Sequence, residues 1–290
     1  MAETLKTWRV LDILKVTEAA FADKGIKNPR LNAELLLCDI TGDKRIELYL
    51  NFEKPLTKAE VEAYRQHVKR RLAFEPLQYI LGKTEFYGLN FRVNCSVLIP
   101  RQETEILVEK ALEYITNCKP DNPKILEIGT GSGCISAAIA ANTVCEIDAV
   151  DVSPEAVNLA TENASNKELK GKIIFSVKDL FNDINSFEGY DIVVSNPPYI
   201  AASDVPGLDE EVNGYEPVIA LSDNDDGLSF YRKIFQLFNS VNKKPVLLLE
   251  LGDGKKEQTI NLLKENGILS YKIFNDLIGI PRVLLVESYK

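Results

Sequence analysis

From Lys124 onward, short apolar runs alternate with longer segments whose apolar residues recur at every third or fourth position. The runs read as strands at 124–129, 145–151, 172–177, 190–195, 244–251, 267–274 and 282–288. The longer segments read as helices at 103–117, 133–141, 154–165, 227–240 and 254–264. Apolar strands separated by amphipathic helices form a doubly wound α/β sheet, because each helix then lays its apolar stripe on a sheet face. A mostly parallel seven-stranded sheet is expected within residues 98–290.

The first 74 residues show a different pattern. Segments near 4–23, 30–39, 43–51 and 57–74 have helical spacing, with breaks at Asn28-Pro29 and Thr41-Gly42. Thr57 with Glu60 reads as a capping box, the threonine serving the third backbone N–H and the glutamate reaching back. A small helical bundle is expected over 1–74. Residues 75–97 are rich in Tyr, Phe and Gly and read as a linking β-hairpin, with Gly88 and Asn90 near its turn.

Charge and composition narrow the function. The net charge is −9, yet residues 1–80 carry 14 Lys+Arg against 12 Asp+Glu, which leaves −11 on the remaining 210. Nonspecific nucleic-acid binders depend on neutralising phosphates, so an acidic main region weighs against a DNA or RNA substrate. The basic cluster Lys69, Arg70 and Arg71 reads either as a local phosphate-binding patch or, more commonly for such a run, as a solvated helix face. His67 is the only histidine, which excludes a histidine metal cluster. The five cysteines, Cys38, Cys95, Cys118, Cys134 and Cys145, lack metal-ligand spacing and suit a reducing compartment. No metal is expected. With neither an 18-residue apolar run nor a secretory leader, the chain reads as cytoplasmic.

The first strand of the alternating region ends in Glu127-Ile128-Gly129-Thr130-Gly131-Ser132-Gly133, and a helix begins at once. Glycine there permits a tight turn and close approach to a ligand. The spacing is G-x-G-x-G, not the G-x-G-x-x-G that seats a pyrophosphate. With Glu127 just before it, the loop suits a ligand ending in an amino acid, whose ammonium seeks acidic or carbonyl oxygens. A loop that serves packing alone is the other reading. Asp151, at the end of the second strand, can accept both hydroxyls of a ribose. Asp179, after the third, either accepts from an adenine amino group or caps a helix. In order, these residues outline a crevice for an adenosine-containing cofactor.

The fourth strand ends in Asn196-Pro197-Pro198-Tyr199. The two prolines stop the strand and stiffen the backbone beyond it, fixing Asn196 at the carboxyl edge of the sheet. An amide or aromatic amine nitrogen is a weak nucleophile because its lone pair is delocalised. Its two hydrogens can be given to two carbonyls, the Asn196 side chain and the Pro197 backbone. Those bonds favour positive charge developing on nitrogen and aim its lone pair at a methyl sulfonium. Tyr199 is placed to stack on the flat group. Orientation and electrostatics then suffice, and no histidine is needed.

These residues resemble the class I S-adenosylmethionine-dependent methyltransferases, in which Asn-Pro-Pro-Tyr marks enzymes acting on planar amino groups. More narrowly, the chain is similar to the bacterial peptide-chain-release-factor glutamine methyltransferases over essentially its full length. The likeness runs through Glu75-Pro76-Leu77-Gln78-Tyr79-Ile80-Leu81-Gly82, Phe86 and Gly88, and Leu98-Ile99-Pro100-Arg101-Gln102-Glu103-Thr104-Glu105. It continues through the glycine loop, Asn196 to Tyr199, Glu216-Pro217 and Gly279-Ile280-Pro281-Arg282. The resemblance implies methylation of the glutamine in the Gly-Gly-Gln motif of class 1 release factors, giving N5-methylglutamine and S-adenosylhomocysteine. It implies that Gly129, Thr130, Gly131, Ser132 and Gly133 hold the methionine part with Glu127, Asp151 the ribose, and Asp179 with Leu180 the adenine. Asn196, Pro197, Pro198 and Tyr199 would hold the glutamine amide, with Asn196 also beside the cofactor and Arg101, Glu103 and Thr104 near the substrate. Residues 1–74 would grip the protein substrate, 75–97 would link, and 98–290 would carry out the transfer. Two positions depart from the pattern: Gln102 where proline is usual, and Leu180 where an aromatic residue is often found.

Arg101 has two further readings: pairing with Glu103 or a substrate carboxylate, or a structural salt bridge. The long segment 201–226 is expected to overhang the substrate site. A monomer is expected. The alternatives to a release-factor substrate are a glutamine of a ribosomal protein and, more remotely, an amino group of a nucleic acid, which would need a base-flipping pocket and a positive channel.

Overall fold

The computed structural model describes residues 7–118 and 121–287. Expectations for residues 4–6 and 288 lie outside them. The chain divides into two compact units. The first holds the described residues up to Gly82 together with Asp209–Tyr215; the second holds Lys83–Leu208 and the described residues from Glu216 onward.

The first unit is helical. Its helices are α1 (Val10–Asp23), α2 (Pro29–Thr41), α3 (Arg45–Leu50), α4 (Lys58–Leu72) and α5 (Leu77–Leu81). Pro29 opens α2, where its missing N–H is not needed, and Gly42 ends it in a left-handed conformation. The capping box at Thr57 and Glu60 is formed at the start of α4. Val10, Leu14, Phe21, Leu36, Leu37 and Leu48 make the core. Arg71 corrects one expectation: it is buried, not a solvated helix face. Its guanidinium donates to Asn32 Oδ1 at 2.8 Å, to the Glu75 carbonyl at 3.0 Å and to Glu211. Lys69 and Arg70 are exposed, Arg70 being paired with Glu75.

The second unit opens with a hairpin of β1 (Lys83–Phe86) and β2 (Leu89–Arg92). Its turn is Tyr87-Gly88, both at positive φ, as a two-residue turn matching strand twist requires. Asn90 therefore lies in β2, opposite Glu85, and not in the turn.

The sheet comes next, with α6 (Glu105–Cys118), β3 (Lys124–Ile128), α7 (Cys134–Asn142), β4 (Glu146–Asp151), α8 (Pro154–Ser165), β5 (Lys172–Val177) and β6 (Ile192–Ser195). Beyond β6 come α9 (Glu210–Tyr215), which belongs to the helical unit, and α10 (Val218–Leu221). The chain closes with α11 (Ser229–Ser240), β7 (Val246–Glu250), α12 (Lys256–Glu265), β8 (Tyr271–Asn275) and β9 (Pro281–Val286). The seven strands lie in the order β5-β4-β3-β6-β7-β9-β8, parallel except for β9.

Successive residues of β3 alternate between the two cores: Ile125 packs with α6 and α7, Leu126 and Ile128 with α11. The α11 helix buries Tyr231, Ile234, Phe235 and Phe238 along one stripe. Chain direction across the sheet reverses between β3 and β6, so a crevice opens beyond their carboxyl ends.

Of the segment 201–226, Ile219 and Ala220 border the cavity at the strand ends, but the segment is not one overhanging loop. Its middle, Asp209–Tyr215, belongs to the helical unit, and the chain then returns so that Ile200 bridges Ser222.

Candidate active site

A cavity sits at four successive strand ends. Gly129 to Ser132 come after β3, Asp151 to Ser153 end β4 and continue past it, Lys178 to Leu180 come after β5, and Asn196 and Pro198 after β6. Arg101 and Thr104 border it from the chain before α6, and Phe230 from α11.

The loop after β3 is shaped by its glycines and by Glu127. Gly129, Gly131 and Gly133 all have positive φ, which L side chains rarely adopt. At Gly133 a Cβ would also lie 3.0 Å from Ala160 Cβ, so this glycine lets α7 start against α8. Gly133 accordingly serves packing and lies outside the cavity lining. Glu127 also lies outside it, fully buried beneath the loop. One of its oxygens accepts from Thr130 Oγ1 at 2.8 Å and from Ser136 Oγ; the other has no partner. Burial pushes the Glu127 carboxyl up to about 7, against the opposing pull of those two hydroxyls.

Asp151 accepts the Gly131 N–H at 2.9 Å and the Ser153 N–H at 3.0 Å, one on each oxygen. Burial holds its pKa above the ordinary carboxylate value although these N–H groups favour the anion. Each oxygen keeps a lone pair for a ligand hydroxyl. Asp179 is engaged within its own turn, accepting from Phe181 N at 2.9 Å and Asn182 Nδ2 at 2.5 Å. Leu180 is buried at the cavity wall. Phe230 lines the same cavity as Leu180, and its ring meets Phe181 edge-on at 5.1 Å. Nothing local in the sequence marks Phe230, because it sits on a helix fifty residues beyond Leu180.

Asn196 donates through Nδ2 to Thr104 Oγ1 at 3.3 Å. Ser195 donates to the Ile128 carbonyl at 2.7 Å, tying the end of β6 to that of β3. Pro197 is buried, and neither it nor Tyr199 lines the cavity. The Tyr199 ring rests on Gly252: a Cβ there would be 2.5 Å from its Cδ2. Burial, with Glu250 nearby, raises the Tyr199 phenol to about 12. Arg101 pairs with Glu216 and not with Glu103, which is exposed. Glu216 is itself buried and also accepts the Ile99 N–H at 3.3 Å. Among the described residues, no group of three or more His, Cys, Asp and Glu is placed to hold a metal ion.

The parallel sheet with its single antiparallel strand, and a loop cavity at the β3/β6 reversal, define a class I methyltransferase fold. Among solved structures, the hMettl16 catalytic domain in complex with MAT2A 3′UTR hairpin 6 matches with a TM-score of 0.58, over 75% of this chain and 84% of that one. The same domain in complex with hairpin 1 matches with a TM-score of 0.56, over 93% and 92%. At 18% and 19% identity these likenesses concern the fold alone.

The family is fixed by closer relatives. Two family models match, the PrmC N-terminal domain over residues 12–82 and the methyltransferase small domain over residues 103–208. The release factor glutamine methyltransferase of Geobacter sulfurreducens is 40% identical over 286 residues, covering 98% of each chain. That of Chlorobaculum tepidum is 41% identical over 266 residues, covering 89% of this chain and 90% of its own. The chain belongs to the release factor glutamine methyltransferase family, whose members are class I S-adenosylmethionine-dependent methyltransferases.

Proposed function

We propose that this chain transfers a methyl group from S-adenosylmethionine to the side-chain amide nitrogen of the glutamine in the Gly-Gly-Gln motif of class 1 peptide chain release factors. The products are N5-methylglutamine and S-adenosylhomocysteine. The observation that carries this reading is Asn196 at the cavity edge, beside the glycine loop, in a chain that matches glutamine methyltransferases over nearly its whole length.

The residues present fit such a cofactor. The unpartnered, buried oxygen of Glu127 favours a cationic amine above it, and Gly129 to Ser132 allow close approach of the methionine part. Asp151 has a lone pair on each oxygen for the ribose hydroxyls. Asp179, Leu180 and the Phe230 ring would border the adenine. When bound, S-adenosylmethionine supplies an electrophilic methyl on a sulfonium.

The chain supplies orientation. With its Nδ2 given to Thr104, Asn196 has Oδ1 left to accept one hydrogen of the substrate amide. The Pro197 carbonyl would take the other, and Tyr199, held on Gly252, would flank the amide plane. Two acceptors favour the positive charge that develops on nitrogen during transfer. A cytoplasmic location fits the five unbridged cysteines and a substrate of the translation machinery.

The test is transfer of label from radiolabelled S-adenosylmethionine. Label is expected on an unmodified class 1 release factor, and not on one with the motif glutamine replaced by alanine, on ribosomal proteins or on DNA. Asn196→Ala is expected to lower transfer about 10²–10³-fold while cofactor binding persists. Label on ribosomal protein or DNA instead would sink the substrate assignment.

A further inference from the structure

We propose that Leu277 and Ile278, at the tip of the β8–β9 hairpin, are a docking point for an apolar patch on the release factor beside its Gly-Gly-Gln motif. The proposal rests on the release-factor reading of the site. The tip stands on the edge of the sheet that carries the site. Ser195, the last residue of β6, is level with Leu249 of β7, and Leu249 with Leu284 of β9. The β9 strand begins just before, at Pro281, opposite Asn275, the last residue of β8. The turn joining β8 to β9 therefore projects beyond the same strand ends as Asn196. With strands about 4.8 Å apart, it lies two to three strands, on the order of 10–15 Å, along that edge from β6.

Leu277 is fully exposed and Ile278 is 80% exposed. Single exposed apolar residues are ordinary. Here two adjacent ones are held outward by a turn that is tied throughout. Asp276 Oδ1 accepts the Ile278 N–H at 3.1 Å and the Ile280 N–H at 2.9 Å, and its Oδ2 accepts from Arg282 Nε at 2.9 Å. The Asp276 N–H donates to the Ile280 carbonyl at 2.8 Å and the Gly279 N–H to the Asp276 carbonyl at 3.0 Å, with Gly279 at a φ of +88°. The Arg282 carbonyl accepts the Leu251 N–H at 2.7 Å, which fixes the hairpin to the end of β7, just before the Gly252 that seats the Tyr199 ring. A turn tied in this way is ordered before a partner arrives, so little freedom is lost when its apolar pair is covered. Asp276 is spent within the turn, so the tip presents a partner with apolar side chains alone. The occupant follows from the adjoining site. Two of the three motif residues have no side chain, so the motif offers only one glutamine to grip, and further affinity must come from the protein around it. An extended chain advances about 3.3 Å per residue, so side chains roughly three to five residues from the glutamine reach the tip.

The test separates docking from transfer. In the full-length chain, Leu277→Ser combined with Ile278→Ser is expected to raise the release-factor KM about 10–100-fold, with kcat and S-adenosylmethionine affinity within about twofold of the parent. Leu277→Met combined with Ile278→Val, which keeps the apolar contact, is expected to restore KM. Leu269→Ser is the control. Leu269 is 77% exposed but precedes β8, at the opposite end of the hairpin, so its loss should leave KM unchanged. Calorimetric binding of a release factor with its motif glutamine replaced by alanine should weaken in the double serine variant by the same factor as KM rises. Parental KM and affinity in that variant, or an equal loss in Leu269→Ser, would overturn the docking point and leave the methyl-transfer reading standing. If the double variant fails to fold, Leu277→Trp decides: against a parent whose one tryptophan is Trp8, its added emission should shift to the blue when release factor is added. An unshifted emission would overturn the proposal. A parent that neither labels nor binds a release factor would sink the substrate reading, and the docking point with it.

Discussion

Glu127 carries a charge in a place that opposes it. It is fully buried, one oxygen lacks a partner, and its carboxyl sits near 7 against an ordinary 4.5. A carboxyl whose pKa is raised on folding stabilises the protein most below its unfolded value, and that contribution is lost as the pH rises through the folded value. Glu127→Gln is therefore expected to stabilise the chain by about 1–3 kcal/mol at pH 8 and to change little near pH 4. Urea unfolding at the two pH values checks this; equal effects at both would refute it. The same variant is expected to weaken binding of S-adenosylmethionine, since the buried acceptor favours a cationic amine. Gly252 shows a second constraint at this scale. Its absent side chain makes room for the Tyr199 ring, with only 2.5 Å available to a Cβ. Gly252→Ala is expected to cost about 1–3 kcal/mol and to lower methyl transfer about tenfold by shifting that ring, with cofactor binding kept. Thermal melting and single-turnover assays separate the two effects.

Among the elements, α2 shows how a small bundle holds together. Glu34, on its inner face, has no exposed side-chain area and gathers Arg30 Nε at 2.6 Å, Arg45 Nη2 at 2.7 Å and Tyr49 Oη at 2.6 Å. Those bonds join α2 to α3, and Arg30 reaches on to Glu18 of α1. Burial alone would raise the Glu34 pKa, but the hydroxyl and the two guanidinium groups outweigh it and leave the carboxyl below its ordinary 4.5. Its contribution is present above 4.5 and is lost as the pH falls below that value. Glu34→Gln is expected to cost about 1.5–3 kcal/mol at neutral pH and to flatten the acid loss of helical-unit stability. Hydrogen exchange of α1 to α4 against pH measures both. The hairpin makes a different point. Its position is legible from Gly88, Asn90 and the aromatic residues around them. Pairing settles the details: Phe86 opposite Leu89 leaves Tyr87-Gly88 to turn, with Asn90 just beyond in β2.

At the scale of the molecule, the chain passes between the two units three times: after Gly82, after Leu208 and after Tyr215. The middle of the long connection therefore depends on the helical unit, where Arg71 meets Glu211, Lys27 meets Asp209 at 2.9 Å and Tyr215 Oη donates to the Ala73 carbonyl at 2.7 Å. Arg71 is the buried member of this set, so Arg71→Ala is expected to cost about 1.5–3 kcal/mol and to make 209–215 the first site of protease cleavage. Unchanged cleavage there would show that the segment is held by other contacts.

The sequence by itself determined the alternation of strand and helix, the glycine loop, Asp151 and the Asn196 tetrapeptide. These are local: periodicity, backbone permissiveness and chain-stopping prolines act within a few residues. Tertiary structure alone decided the partners. Arg101 meets Glu216, Asn196 meets Thr104, and Phe230 lines the same cavity as Leu180. Each joins residues from distant parts of the chain, across 115 positions in the case of Arg101 and Glu216. No local pattern encodes such a pairing, because it depends on which strand ends the sheet order brings together.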